Sequence, residues 1–224
     1  MKIYYHPAST TSRPLMLFVA ENGIDVELQV VDLFTGEHYK PPYEAINPNH
    51  LVPVLEDGDF RLTESSAILK YLADKINSPA YPRDLKQRAR VNERMDWINT
   101  QLSRDLAYGL VYPQIFPGHK RPSDEVQAAT LTWAKERAKG WLQVLDQHII
   151  GPKNAYLCGD QITIADYLGA PFAGLGELIR CDYSPYPNVS RWLGHMKKLK
   201  SWDKVHEVIY GYASTLKDNK MEVL

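Results

Sequence analysis

The stretch NPNHLVPVLEDGDFRLTESSAI, residues 47–68, reads as a strand, a tight turn, a second strand and the start of a helix. Leu51-Val52 and Val54-Leu55 form an apolar run, interrupted by Pro53, which has no N–H for a sheet ladder. Asp57-Gly58-Asp59 is the turn, and Phe60 and Leu62 lie in the returning strand. Thr63-Glu64-Ser65-Ser66 then opens a helix whose stripe is Ile68, Leu69 and Leu72, where the first backbone N–H groups go unpaired. A proline entering a strand at a bend is often cis. That geometry turns the carbonyl and N–H of Val52 outward, free for a peptide-like ligand. Glu64 and the N–H of Ser65 offer an acceptor and a donor side by side, a pairing that suits the ammonium and carboxylate of an α-amino acid at a helix N-terminus. The plainer reading of Thr63–Ser66 is a helix cap; the strand proline beside it favours the ligand.

Upstream, Ile3-Tyr4-Tyr5 is a short β-prone run ending at Pro7. Ser12 is placed to cap a helix with Pro14 at its first position, Leu15, Phe18 and Val19 on one face and Gly23 at its end. Val26–Val30 alternates as a strand, and Tyr43–Ile46 forms a helical turn. The order β-α-β-(α)-β-β-α combines a right-handed parallel crossover with an antiparallel hairpin, which predicts a mixed four-stranded sheet. Downstream, Asn77-Ser78-Pro79-Ala80-Tyr81-Pro82 is a linker by its turn residues, and only helical patterns follow, at about 86–116, 123–150, 163–179, 188–200 and 202–212. Ser123-Asp124-Glu125 starts the second and Gly151-Pro152 ends it. Thr163 and Asp166 make an acidic capping box, with Ile162 and Tyr167 at the staple positions, a structural device. The expected division is an α/β domain over 1–77, a linker over 78–86 and an all-α domain over 87–224.

Composition narrows the class of function. The 224 residues are 44% hydrophobic and 24% charged, enough for a substantial core in a soluble protein. Twenty-six Lys and Arg against 27 Asp and Glu give a net charge of −1, so no global field favours nucleic acid or an anionic membrane. The opening MKIYYHPAST lacks a signal-peptide core, and no apolar run has transmembrane length. Cys158 and Cys181 have neither metal-site spacing nor a disulfide pattern. The expectation is a cytoplasmic, reduced protein with no metal, nucleic-acid or membrane partner.

In an α/β sheet, ligands bind beyond the carboxyl ends of parallel strands. The first strand delivers His6–Arg13 to that place, and within it Ser9 and Ser12 have the spacing of a C-x-x-C pair with hydroxyls for thiols. A hydroxyl forms no disulfide, but near a positive helix end it can donate a hydrogen bond to an anion such as a thiolate. Ser12 reads better as a cap; Ser9 fits either role.

Pro53, the hairpin and TESSAILKYLADK (63–75) resemble the glutathione transferase superfamily, whose N-terminal half is a thioredoxin-like domain. The resemblance extends through ITIADY (162–167) and YPNVSRW (186–192) in the helical half. YYHPASTTSR resembles the start of delta- and theta-class enzymes, which place a serine three residues before a Ser/Cys-Arg pair. Ser9 falls there and is implied as the group assisting the thiol, with Tyr5 the alternative. GEHYKP and NPNHLVP resemble the delta pattern in which two histidines, His38 and His50 here, reach the glycyl carboxylate of glutathione. By the same resemblance Val52, beside Pro53, offers its backbone to the cysteinyl residue, and Glu64 and Ser65 take the γ-glutamyl end. Ser66 departs from the usual arginine, leaving Arg13 and Lys40 as alternative cations. YPQIF within DLAYGLVYPQIFPGH (105–119) resembles the delta class and places Tyr108, Tyr112 and Phe116 at an electrophile pocket, with core packing the alternative, above all for Phe116. Tyr210 and Tyr212 are expected to close the site, and Asn99 to meet a neighbouring subunit's ligand. The resemblance thus implies a homodimeric detoxification enzyme that activates the thiol of its co-substrate glutathione for attack on hydrophobic electrophiles. The alternatives are a non-catalytic ligand-binding or interaction protein and a glutathione-dependent dehalogenase or peroxidase.

Overall fold

A computed structural model describes residues 1–224. Four short strands, β1 (Lys2–Tyr5), β2 (Glu27–Val30), β3 (Val54–Asp57) and β4 (Phe60–Leu62), form one sheet in the order β2-β1-β3-β4. β1 pairs parallel with β2, Ile3 opposite Leu28, and antiparallel with β3, Ile3 opposite Leu55. β3 and β4 form the hairpin, closed by Gly58 at φ +65°. The period of two puts Ile3 and Leu55 on one face, packed with α1 (Arg13–Asn22) and α3 (Ser65–Lys75) through Leu15, Phe18, Ile68 and Leu72. Val52, Val54 and Val31 go to the other face, under Tyr43 of α2 (Pro41–Glu44). The mixed four-stranded sheet expected from the sequence is therefore present, and so is the helical half.

That half begins with one long run: α4 (Leu85–Trp97), a more widely wound π-type stretch (Ile98–Val111) and α5 (Tyr112–Ile115). α6 (Asp124–Val144) packs along it and continues as a second π-type stretch (Leu145–Ile150) to Gly151 at φ +63°. The stretch expected as one helix at 163–179 is broken at Gly174 into α7 (Ile164–Ala173) and α8 (Leu175–Leu178). α9 (Pro187–Met196) and α10 (Trp202–Ser214) complete the fold.

Two buried carboxylates hold these helices. Asp166 accepts from Thr163 N and Thr163 Oγ1 (2.8 and 2.9 Å), completing the capping box, and also from Leu157 N (2.8 Å) and Trp192 Nε1 (2.9 Å). Asp146 accepts from the N–H groups of Asn188 (2.7 Å) and Val189 (3.1 Å), so α9 is capped from outside its own sequence. Ser12 is a correction. It precedes α1, but its hydroxyl makes no cap; it accepts from His6 N at 3.4 Å instead. No helix is long and apolar enough to cross a membrane.

Candidate active site

β1 ends at Tyr5 and the chain turns through His6–Ser12 into α1, so this loop lies at the carboxyl end of the parallel pair. His6 is buried and its Nδ1 accepts from Ala8 N (3.2 Å), which pins the turn. Four hydroxyl residues then follow in succession. Ser9 Oγ accepts from Ser12 N (3.2 Å) and lies 2.9 Å from Thr11 Oγ1. Thr11 Oγ1 donates to the carbonyl of Val52 (2.8 Å), and Ser65 Oγ donates to the carbonyl of Thr11 (2.7 Å). Ser9, Val52 and Ser65, read separately from the sequence, are thus joined through one residue that reading passed over as a loop hydroxyl.

The Val52–Pro53 peptide is cis, as the strand proline led us to expect. The expectation for Val52 needs a correction: its carbonyl already receives Thr11, while its N–H makes no hydrogen bond within the chain. At the head of α3, Glu64 stands at φ +65°, a conformation that side chains rarely adopt and that costs about 1–3 kcal/mol. Such a conformation persists where surrounding contacts enforce it, here the anchoring of Ser65 to Thr11. The first backbone hydrogen bond of α3 is Ile68 N to Glu64 O, so the N–H groups before it point outward unpaired, beside the exposed Glu64 carboxylate.

His50 Nδ1 donates to the carbonyl of His38 (2.9 Å), and the ring of Tyr39 lies against both imidazoles, 3.9 Å from His38 and 5.3 Å from His50. The structure therefore brings the two histidines together. Nδ1 of His38 is buried with no partner, and burial together with His50 lowers the pKa of His38. Arg13, considered as a replacement for the missing arginine, points elsewhere: it is 2% exposed and donates to Thr10 Oγ1 (3.2 Å). Lys40 is exposed, and Tyr5 stays within β1. Ser66 Oγ accepts from Asn99 Nδ2 of the same chain (3.3 Å). No group of three or more His, Cys, Asp or Glu is placed to hold a metal ion.

The opposite wall is aromatic. Tyr108 and Tyr112, four residues apart, have ring centres 4.9 Å apart, and Phe116 follows 5.4 Å from Tyr112. Tyr112 is buried with its phenol against Thr10, and burial pushes its pKa up. Tyr108 is 43% exposed, and burial of its phenol, with the charge of Glu64 second, raises its pKa. Phe116 stacks on Tyr212 of α10 (5.7 Å), and Tyr212 meets Phe34 of the β2–α2 loop (5.7 Å). Tyr210 instead packs on His206. His119 joins the ring cluster at 5.1 Å from Tyr112. Phe34, His119 and Thr11 were missed by sequence reasoning. The one available signal was the unbroken hydroxyl run containing Thr11; Phe34 and His119 sit in loops, where no period marks a direction.

This arrangement can be set beside known proteins. The profile of the glutathione S-transferase N-terminal domain matches residues 1–74, and that of the C-terminal domain matches residues 110–199. The chain belongs to the glutathione S-transferase family. It is 37% identical over 168 residues to glutathione S-transferase theta-1 of Homo sapiens, covering 74% of this chain and 69% of the relative. A delta-class glutathione transferase of Nilaparvata lugens superposes with a TM-score of 0.79 at 32% identity, over 96% of this chain and 98% of that one. Human glutathione transferase theta-2, solved in complex with glutathione, gives 0.81 at 28% identity, over 99% and 92%. The protein is a glutathione transferase, with glutathione as its co-substrate. In this transferase the hydroxyl-rich loop and the aromatic wall come from different halves and meet where Tyr112 touches Thr10.

Proposed function

We propose that Ser9 is the catalytic hydroxyl of this transferase, donating a hydrogen bond to the glutathione sulfur and so favouring its thiolate. A free thiol is only a few per cent ionised at neutral pH, and a hydrogen bond to a charged partner contributes about 1.5–3 kcal/mol. The positive end of α1, just beyond Ser9, adds to that preference. The observation carrying the reading is the bonded set Ser9–Thr11–Val52 with Ser65, which gathers the sulfur position, the peptide-binding edge and the head of α3 around one loop. Glutathione would lie along it: its γ-glutamyl group at Glu64 and Ser65, its cysteinyl backbone at Val52 beside Pro53, its glycyl carboxylate at His38 and His50.

Residues 1–77 thus hold the tripeptide, and the helical domain 87–224, joined by the 78–86 linker, supplies the electrophile pocket at Tyr108, Tyr112 and Phe116. The aromatic lining suits hydrophobic electrophiles. The thiolate attacks the electrophilic carbon, its sulfur pair forms the C–S bond, and the leaving group departs with the electrons of the bond it breaks. A cytoplasmic homodimer serving detoxification is the setting we assign to this chemistry. Light scattering at micromolar concentration should give twice the 25.6 kDa chain mass.

Ser9→Ala tests the assignment. We expect kcat/KM toward an aryl halide to fall by about 10–100-fold, the size of one charged hydrogen bond. The bound thiol should ionise at higher pH. An unchanged pH–rate profile in Ser9→Ala would remove Ser9 from the mechanism.

A further inference from the structure

The hydrogens of the Ser9 loop can be counted. A carbonyl only accepts, so the single hydroxyl hydrogen of Thr11 lies on its 2.8 Å bond to Val52 O. Thr11 Oγ1 can then only accept at its 2.9 Å contact with Ser9 Oγ, so the single hydrogen of Ser9 is donated to Thr11. Ser12 N–H reaches Ser9 Oγ from behind, at 3.2 Å. Donation therefore runs Ser12 to Ser9 to Thr11 to Val52, and without ligand Ser9 has no hydrogen left for a sulfur. Ser65 Oγ on the Thr11 carbonyl (2.7 Å) holds Thr11 in this position.

We infer that Thr11 is a positioning residue that couples docking of the tripeptide at Val52 to the direction of the Ser9 hydroxyl. This inference rests on the reading of Ser9 given above. The Val52 carbonyl has two lone pairs, so a ligand cysteinyl N–H arriving there first weakens the Thr11 bond by sharing its acceptor, and in the inferred coupling it then displaces the Thr11 hydroxyl. Thr11 turns its hydrogen to Ser9 Oγ, whose two lone pairs accommodate both Thr11 O–H and Ser12 N–H. The Ser9 hydrogen is released to the sulfur. No covalent bond changes in this step: two hydroxyl hydrogens rotate, and the thiol proton leaves to solvent. An oxygen that accepts two hydrogen bonds is also the better donor, so the reversed chain strengthens the bond to the thiolate. Peptide recognition and thiol activation thereby become one event.

The experiment is an ultraviolet titration of the thiolate of bound glutathione in wild type, Thr11→Val, Thr11→Ser and Ser9→Ala, with near-ultraviolet circular dichroism to check folding. Thr11→Val keeps the side-chain shape without the hydroxyl. We expect it to lower the thiolate fraction at the wild-type midpoint by about twofold to fivefold, a rise of about half to one pKa unit, and Thr11→Ser to restore it. A Thr11→Val titration that overlays wild type, or shifts to lower pH, overturns the coupling. If Ser9→Ala shifts the curve and Thr11→Val does not, Thr11 alone is wrong; if Ser9→Ala does not shift it, the Ser9 reading fails. Should Thr11→Val not fold, an atomic-resolution crystal structure of the wild type with glutathione decides. Separation of Thr11 Oγ1 from Val52 O beyond hydrogen-bond range, with the Ser9 contact kept, supports the switch, and retention of the 2.8 Å bond overturns it.

Discussion

Arg13 and Asp166 are both buried charges, and their surroundings predict opposite responses to removal. Arg13 is acted on by the phenols of Tyr112 and Tyr210 but pairs with no carboxylate, and its Nε has no partner. Burial lowers its pKa to about 10, so it remains a cation at neutral pH. Removing it orphans no acid and releases a desolvated charge, at the loss of one bond to Thr10. Arg13→Met is therefore expected to change unfolding stability by less than about 1 kcal/mol, or to raise it. Asp166 accepts four donors inside the helical half, and Asp166→Ala leaves all four without an acceptor. A loss of about 3–5 kcal/mol is expected, read from urea midpoints at constant slope. A large loss in Arg13→Met would mean that the cation has a structural partner after all. Asp166 was legible in the sequence because a capping box has fixed spacing. The burial of Arg13 was not, since at 3.6 residues per turn position 13 lies opposite the stripe of Leu15, Phe18 and Val19, and the sequence offered it to the ligand as a cation.

At the level of elements, punctuation was legible and winding was not. Gly23 at φ +59°, Gly58 at φ +65° and Gly151 at φ +63° each end or turn an element where the sequence placed a stop. The hairpin and the Thr163 box were readable for the same reason: each depends on residues adjacent in sequence. The π-type stretch at Ile98–Val111 left no mark, because an apolar stripe tolerates slightly more than 3.6 residues per turn. The break at Gly174 likewise has ordinary right-handed angles, φ −71° and ψ −6°, and carries no special signature. The wide stretch approaches α6 at Gly109, where an added Cβ would lie 2.6 Å from Ala134 Cβ, far inside contact distance. Since both positions are fixed by backbone, Gly109→Ala must push the two helices apart and should cost about 1–3 kcal/mol. The double variant Gly109→Ala/Ala134→Gly frees that space, and thermal unfolding should show it recovering part of the loss. Additive losses in the double variant would place the effect of Gly109 elsewhere.

Over the whole molecule, the two halves share α1. Phe18 meets Tyr167 of α7 edge-on at 5.2 Å, and Glu21 accepts from Ser201 N just before α10 (2.7 Å). At the other end of α1, Arg13 faces His206 of α10. His206 is 1% exposed, stacks on Trp202 at 3.9 Å and donates from Nδ1 to the Trp202 carbonyl (2.9 Å). Burial, Arg13 and Lys197 outweigh the favourable carbonyl and lower its pKa from 6.5 to about 3. The folded chain thus keeps His206 neutral where the unfolded chain takes up a proton. Its contribution is fully present above pH 6.5 and declines as pH falls toward about 3, at up to about 1.4 kcal/mol per unit. By pH 5 that amounts to about 2 kcal/mol. Asp166 has the opposite sign, its pKa raised from 3.8 to about 6, so it favours the fold as pH drops through that window. A comparison with His206→Phe cancels the Asp166 contribution and retains an aromatic ring on Trp202. Urea unfolding at pH 7 and pH 5 should show wild type losing about 2 kcal/mol more than the variant, because only wild type carries a histidine forbidden to protonate until α10 leaves α1. Equal losses would mean that His206 protonates in place, and that its ring has access to water or an anion in the seam between the two halves.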